Sequence, residues 1–168
     1  MAVEDIPETG RRVELAADAS TRAAIARLAG VVGLPRLTAS FDLARYGRQG
    51  VHITGSVSAT VDQSCVVTLE AIQNEIEEAV DLVFSPQPDS AQDQNQGPLA
   101  IDAAEPPEPL QAGIVDLGAV ATEFLLLGID PYPRKPDAVF AAPPAGDPAA
   151  HPFAALASLK KQPREKDR

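Results

Sequence analysis

Between Pro35 and Pro86 the chain carries no proline, and within that interval apolar and polar positions alternate. Leu37, Ala39, Phe41 and Leu43 alternate with Thr38, Ser40 and Asp42. After the turn-forming run Tyr46-Gly47-Arg48-Gln49-Gly50, Val51, Ile53, Gly55, Val57, Ala59 and Val61 alternate with His52, Thr54, Ser56, Ser58 and Thr60. A period of two sends successive side chains to opposite faces, so both runs predict antiparallel strands with one wet face. Proline cannot donate to a ladder, and its absence here fits an uninterrupted sheet. IQNEIEEAVDLVF (Ile72–Phe84) fits either a helix or a strand: Ile72, Ile76, Val80 and Phe84 line one side of both. The even spacing of Ile76, Val80, Leu82 and Phe84 predicts a strand that completes a three-stranded meander, against a Glu content that disfavours one.

Helical spacing predicts three helices. Ser20 is placed to cap TRAAIARLAG, which Gly30 closes. Asp116 is placed to cap LGAVATEFLLLG, with Leu117, Val120, Phe124 and Leu127 as an apolar stripe and Gly128 as its end. Pro152 opens PFAALASLKK, whose Lys160 and Lys161 suit a C-terminal dipole. RRVELAA predicts a short strand before the first helix. The segment from Pro86 to Pro109, rich in Pro, Gln and Asp, predicts a long acidic disordered loop, mobile over residues 87–108. Ala141 to Ala150 reads as a Pro/Ala linker and residues 162–168 as a disordered tail. The pattern as a whole predicts an α+β fold: an antiparallel meander with three helices packed against it, in one domain over residues 1–161.

Composition narrows the function. A length of 168 residues with 45% hydrophobic residues is enough for one core. Five Phe, two Tyr and no Trp are few rings for a small-molecule pocket or a base-stacking platform. No run approaches the ~20 apolar residues of a membrane helix. The start MAVEDIPETG lacks a signal-peptide pattern, and one cysteine makes no internal disulfide, so the expected address is cytoplasmic.

Charge is distributed unevenly. Residues 1–48 hold seven Arg and six acids, residues 49–133 hold fourteen acids and no Lys or Arg, and residues 134–168 hold seven basic residues and four acids. The expected field is a wide anionic centre flanked by mildly cationic ends.

Candidate chemistry is sparse. The lone Cys65 lacks the further soft or imidazole ligands of a metal site, and reads as a buried cysteine. A Cys-dependent hydrolase would need a base beside it. His52 and His151 read as surface residues. Glu75, Glu77, Glu78 and Asp81 read as a solvated face rather than an acid–base pair. No glycine-rich phosphate loop, GxSxG elbow or HExxH is present. DPYPRKP (Asp130–Pro136) stands out. Pro131 and Pro133 hold Tyr132 extended, and a stiff segment loses little entropy on docking. It reads either as a clamp across the end of the preceding helix or as a surface that displays Tyr132 and Arg134.

CVVTLEAI (Cys65–Ile72) and IVDLGAVATEFLLLGIDPYPRKP (Ile114–Pro136), separated by an acidic gap, together resemble the YceD family, the bacterial large ribosomal RNA subunit accumulation proteins, with relatives in plastids. HPFAALASLKK is similar to the ending of alphaproteobacterial members, so the resemblance spans roughly Val51 to Lys161. It implies a cytoplasmic, non-enzymatic factor for synthesis, processing or stability of large-subunit ribosomal RNA, without cofactor, metal or small-molecule substrate. Genes of the family often neighbour one for a small, basic, zinc-ribbon ribosomal protein. Many members carry C-x-x-C-L-E; here Cys65, Leu69 and Glu70 match, but Thr68 replaces the second cysteine, which removes any role for a cysteine pair. The resemblance implies partner binding through Cys65, Leu69, Glu70, Asp116, Leu117, Gly118, Glu123, Asp130, Pro131, Tyr132, Pro133 and Arg134. Direct RNA contact would use the basic ends: Arg11, Arg12, Arg22, Arg27, Arg36, Arg45 and Arg48, or Arg134 and Lys135. The acidic centre instead favours a basic ribosomal protein or a pre-ribosomal particle of the large subunit as partner.

Overall fold

The computed structural model describes residues 1–86, 107–142 and 154. A 3-10 turn at Val3–Asp5 is followed by β1 (Arg11–Ala16), α1 (Ala19–Ala29), β2 (Gly33–Tyr46), β3 (Gly50–Ser64), β4 (Ala71–Ser85), β5 (Glu108–Pro109) and α2 (Leu117–Gly128). The strands form one sheet in the order β1-β2-β3-β4-β5. Neighbours β1 to β4 are antiparallel, whereas β5 runs parallel to β4, pairing Phe84 with Glu108 and Ser85 with Pro109. The α+β expectation holds, with RRVELAA as β1 and the ambiguous third run as β4. The sheet is mixed rather than purely antiparallel, because β5 falls at the end of what the sequence presents as loop. The remainder of that loop, residues 87–106, lies outside the described residues, as do all of the expected third helix but residue 154, His151, most of the Pro/Ala linker and the tail.

Alternation in sequence becomes two faces in space. Leu37, Ala39, Phe41, Leu43, Val51, Ile53, Val57, Ala59, Val61, Ile76 and Val80 are buried in one cluster with Ile25 and Ala26 of α1 and Leu117, Val120, Ala121 and Leu125 of α2. Both helices therefore cover the same face. The opposite face carries Thr38, Ser40, His52, Thr54, Ser56 and Ser58, with Glu75, Glu77 and Asp81 along β4. Pro35 sits where the β2–β3 register shifts between Gly33 and Arg36, an irregularity that spares the ladder the missing donor. No helix of the described residues is long and apolar enough to cross a membrane.

Two local expectations need correction. The cap of α1 is Asp18, not Ser20: Asp18 Oδ1 accepts the Thr21 N–H at 2.7 Å, and Ser20 lies inside the helix donating its hydroxyl to that same carboxylate at 2.8 Å. Those bonds, the Thr21 N–H first, hold the Asp18 carboxyl down to about 2. In α2, Leu127 is exposed and Leu125 is fully buried, so the inward stripe is Leu117, Val120, Ala121 and Leu125, with Phe124 half-buried beside it. Gly128 ends the helix as the sequence predicts, without a left-handed φ. A Cβ there would lie 2.6 Å from Ile76 Cγ2 and 2.7 Å from Glu78 Oε1, so glycine lets the helix end press on β4.

Asp116 caps α2 as the sequence predicts, accepting the Gly118 and Ala119 N–H groups at 2.9 and 3.1 Å. Asp116→Ala leaves both donors without that acceptor, and should cost about 1 kcal/mol in urea unfolding. Asp116→Asn should recover most of it.

Candidate functional site

The β3–β4 hairpin turns through Cys65–Glu70, closed by the Cys65 N–H donating to the Glu70 carbonyl and the Leu69 N–H to the Cys65 carbonyl, each at 2.8 Å. Leu69 takes φ 60, a left-handed conformation uncommon for a leucine, and its side chain is 79% exposed. The chain leaving α2 runs directly onto this turn. Val66 N–H donates to the Pro133 carbonyl at 2.9 Å, and Lys135 Nζ to Glu70 Oε2 at 2.8 Å. Asp130 Oδ1 accepts the Tyr132 N–H at 2.8 Å, which folds the start of DPYPRKP, and Gln63 Nε2 donates to the Asp130 carbonyl at 2.9 Å. Pro133 is buried; Tyr132 is 72% exposed. The clamp and the display surface are thus one structure, in which alternate residues divide the work. Pro133 and Lys135 hold the turn, and Tyr132 and Arg134 face solvent.

Cys65 is fully buried at the centre of this clip, a free thiol whose Sγ lies 3.5 Å from the N–H groups of Thr68 and Lys135. Its pKa is lowered to about 6, first by the Thr68 side chain, then by the Lys135 and Thr68 backbone N–H groups. The Thr68 hydroxyl also reaches Glu70 Oε2 at 3.0 Å and has one proton to give, so the backbone donors are the steadier cause. The sulfur acts as a hydrogen-bond acceptor that ties the turn to the clip. His52 is engaged elsewhere, its Nε2 2.6 Å from Asp81 Oδ1. Among the described residues no group of three or more His, Cys, Asp or Glu side chains gathers as metal ligands would.

The Glu70 carboxyl is held below its ordinary value, first by the hydrogen bond from Lys135 and then by the Thr68 hydroxyl. A depressed carboxylate stabilises the fold fully above its unfolded value near 4.5, and that contribution is lost as pH falls through the lower folded value. The clip should therefore loosen on acidification. The amide resonances of Val66 and Lys135 should move toward random-coil positions as pH falls below about 4.5, and Glu70→Gln should abolish that titration. Resonances unmoved by pH would show that the ion pair does not secure the clip.

Of the residues singled out by sequence, the fold brings together Cys65, Leu69, Glu70, Asp130, Pro131, Tyr132, Pro133 and Arg134. Asp116, Leu117 and Gly118 stand at the far end of α2, ~18 Å away along the helix axis. Asp116 and Gly118 are cap partners there and Leu117 is core, while Glu123 is exposed midway. Gln63 and Asn74 were missed: Asn74 Nδ2 donates to Gln63 Oε1 at 2.8 Å, and Gln63 anchors Asp130. Their signal was present, since both are polar residues at inward positions of otherwise apolar alternations.

Charge is less segregated in space than in sequence. Arg36 reaches across β3 to the acidic strand, donating to Glu75 Oε2 at 2.7 Å and to Ser58 Oγ at 3.0 Å. Glu75 is held below its ordinary value by Thr60 first and then by Arg36. Arg12 pairs with Asp42 at 3.2 Å, Arg45 donates to the Ile6 and Glu4 carbonyls, and Arg22 and Arg27 donate to the Ala17 and Ala23 carbonyls. The expected uninterrupted anionic centre is corrected accordingly: Arg36 and Lys135 both sit within it. Glu77 and Glu78 of β4 have no hydrogen-bond or ion-pair partner among the described residues.

What fold and clip define is a small α+β protein whose clip displays Leu69, Tyr132 and Arg134 beside an acidic strand. The family model for the large ribosomal RNA subunit accumulation protein YceD matches residues 53–160, and the chain belongs to that family. The matched region takes in nearly all of β3, together with β4, β5, α2 and the clip; β1, α1 and β2 precede it. No curated protein and no solved structure matches the chain.

Proposed function

We propose that this protein is a non-enzymatic, cytoplasmic factor for large ribosomal subunit assembly that binds a basic ribosomal protein or a pre-ribosomal particle of the large subunit. Ribosomal RNA then accumulates because assembly proceeds. The clip presents Leu69, Tyr132 and Arg134 to the partner, with Cys65, Glu70, Asp130, Pro131 and Pro133 holding them in place.

The observation that carries this reading is the fate of the charges. Five of the seven N-terminal arginines spend donors inside the molecule, whereas Glu77 and Glu78 are left without partners among the described residues. Unpaired carboxylates on both faces of the acidic strand attract cations more than phosphates. In a pull-down at physiological salt, the purified protein should retain basic large-subunit proteins in preference to naked ribosomal RNA fragments. Direct RNA binding is the second reading, favoured by Arg45 and Arg48 lining one cleft near the β2–β3 turn. Retention of naked RNA that Arg45→Glu and Arg48→Glu abolish would put that reading first.

A further inference from the structure

The outer edge of β4 has a direction that the ladder fixes. Cys65 donates to the Glu70 carbonyl at the turn, so Gln63 with Ile72, Val61 with Asn74 and Ala59 with Ile76 are the pairs that exchange N–H and C=O bonds across β3–β4. The alternate residues of β4, Gln73, Glu75, Glu77, Ala79 and Asp81, turn their backbone groups away from β3. The same alternation turns Ser85 outward, and there the Leu110 N–H indeed meets the Ser85 carbonyl at 2.8 Å as β5 pairs alongside. From Ala71 to Val83 no backbone bond reaches that edge among the described residues.

An open strand edge is a template for another strand. The side chains that accompany this one select which strand. Glu75, Glu77 and Asp81 all belong to the outward-bonding set, so their carboxylates flank any incoming chain on the open face, and Glu78 stands on the helix-covered side. A second copy would set acid against acid, which like charges oppose. A chain bearing Lys or Arg at alternate positions would meet opposite charge at each step. Glu77 has no partner among the described residues and can meet it directly, and Glu75 and Asp81 would exchange Arg36 and His52 for the newcomer.

We infer that β4 takes an extended, Lys/Arg-rich segment of a protein partner as an additional strand along Gln73–Asp81, hydrogen-bonded through the backbone and chosen by the acidic side chains. The inference rests on the reading that the partner is a basic protein, and names the surface and the mode. It places the docked strand in line with β5, next to the clip, where Arg134 and Asn74 line one cleft.

The test uses the full chain and a fluorescein-labelled short peptide of alternating lysine and threonine, beside the same peptide N-methylated along its backbone. The unmethylated peptide should bind and slow amide exchange at Glu77, Ala79 and Asp81. The methylated one, equal in charge, should bind about tenfold more weakly or worse. Ala79→Pro removes an outward N–H that β3 does not use, and should weaken binding. If that variant folds poorly, Glu77→Lys tests the same edge by repulsion while leaving every backbone bond intact. Equal binding of both peptides would overturn the inference in favour of charge alone. Slow exchange at those amides in the free protein, or a mass that doubles with concentration, would overturn it by showing the edge already covered. Failure of the peptide while basic ribosomal proteins are still retained would overturn the docking mode and leave the proposed function standing. Retention of none would overturn both.

Discussion

Gly55→Ala should cost ~3 kcal/mol or more, and lower the melting temperature by ~6–12 °C. Gly55 occupies an inward position at the centre of the sheet, paired with Phe41 on β2 and Val80 on β4. Its φ is 156, and a Cβ there would lie 2.0 Å from the Ser40 carbonyl oxygen and 3.0 Å from Phe41 Cα. Those are backbone atoms of a central strand, so no rotamer change relieves the overlap; β2 and β3 would have to separate. Phe41 beside it is fully buried, and the separation would open the core around it. Gly47 is the control. It lies in the β2–β3 turn at φ 59 with nothing within 4 Å of a Cβ, so Gly47→Asn should cost no more than ~1 kcal/mol. Similar costs for the two substitutions, measured by thermal and urea unfolding, would show that the close approach at Gly55 does not matter.

Tyr132→Ala combined with Leu69→Ala should leave the fold almost untouched and abolish function. Both side chains are largely exposed, and none of the hydrogen bonds that build the clip uses either one. Surface truncations of this kind usually change stability by ~0.5 kcal/mol or less. A buried tyrosine acting as the clamp would instead cost ~3 kcal/mol. The exposed pair invites docking because the segment is already stiff: Pro131 and Pro133 restrict the backbone, Asp130 ties the Tyr132 N–H, and Leu69 is held at φ 60 by the Cys65–Glu70 turn. The readouts are the melting temperature of the double variant and its capacity to restore large-subunit ribosomal RNA levels in a deletion strain. Loss of stability with retained activity would return the pair to a structural role. A variant with neither defect would show that the displayed surface is not where the partner binds.

These two cases also show where sequence sufficed. The alternation in β2 and β3 is read off directly because one face of each strand is buried, and Gly55 falls into that pattern as an inward residue. Why the position is glycine is not readable, since the obstruction belongs to Ser40 and Phe41 on the neighbouring strand. β4 was ambiguous because Glu78 occupies the helix-covered face among apolar residues, beside Gly128, while Glu75, Glu77 and Asp81 fall on the wet face as a strand requires. The end of α2 is three leucines in a row, from which spacing alone cannot tell that Leu125 is buried and Leu127 is not. Asp18 and Ser20 are both capable caps two positions apart, and the choice is made by which oxygen meets the Thr21 N–H. The motif residues were legible individually, but their meeting was not. Lys135 contacts Glu70 from 65 positions away, and nothing local encodes that contact. The charge map failed for the same reason. A meander lays Arg36, Thr60 and Glu75 side by side, so a run of acids in sequence is interrupted in space by a distant arginine.

On the proposed function, β4 and the adjoining clip together meet a positively charged protein surface. Photo-crosslinking in cells, with benzoylphenylalanine in place of Tyr132 in one strain and of Ala79 in another, reads the partner directly by mass spectrometry. Crosslinks from both positions should reach basic proteins of large-subunit precursors. Crosslinks to RNA alone, or to proteins without a basic extended segment, would rule out docking of a basic protein on this surface.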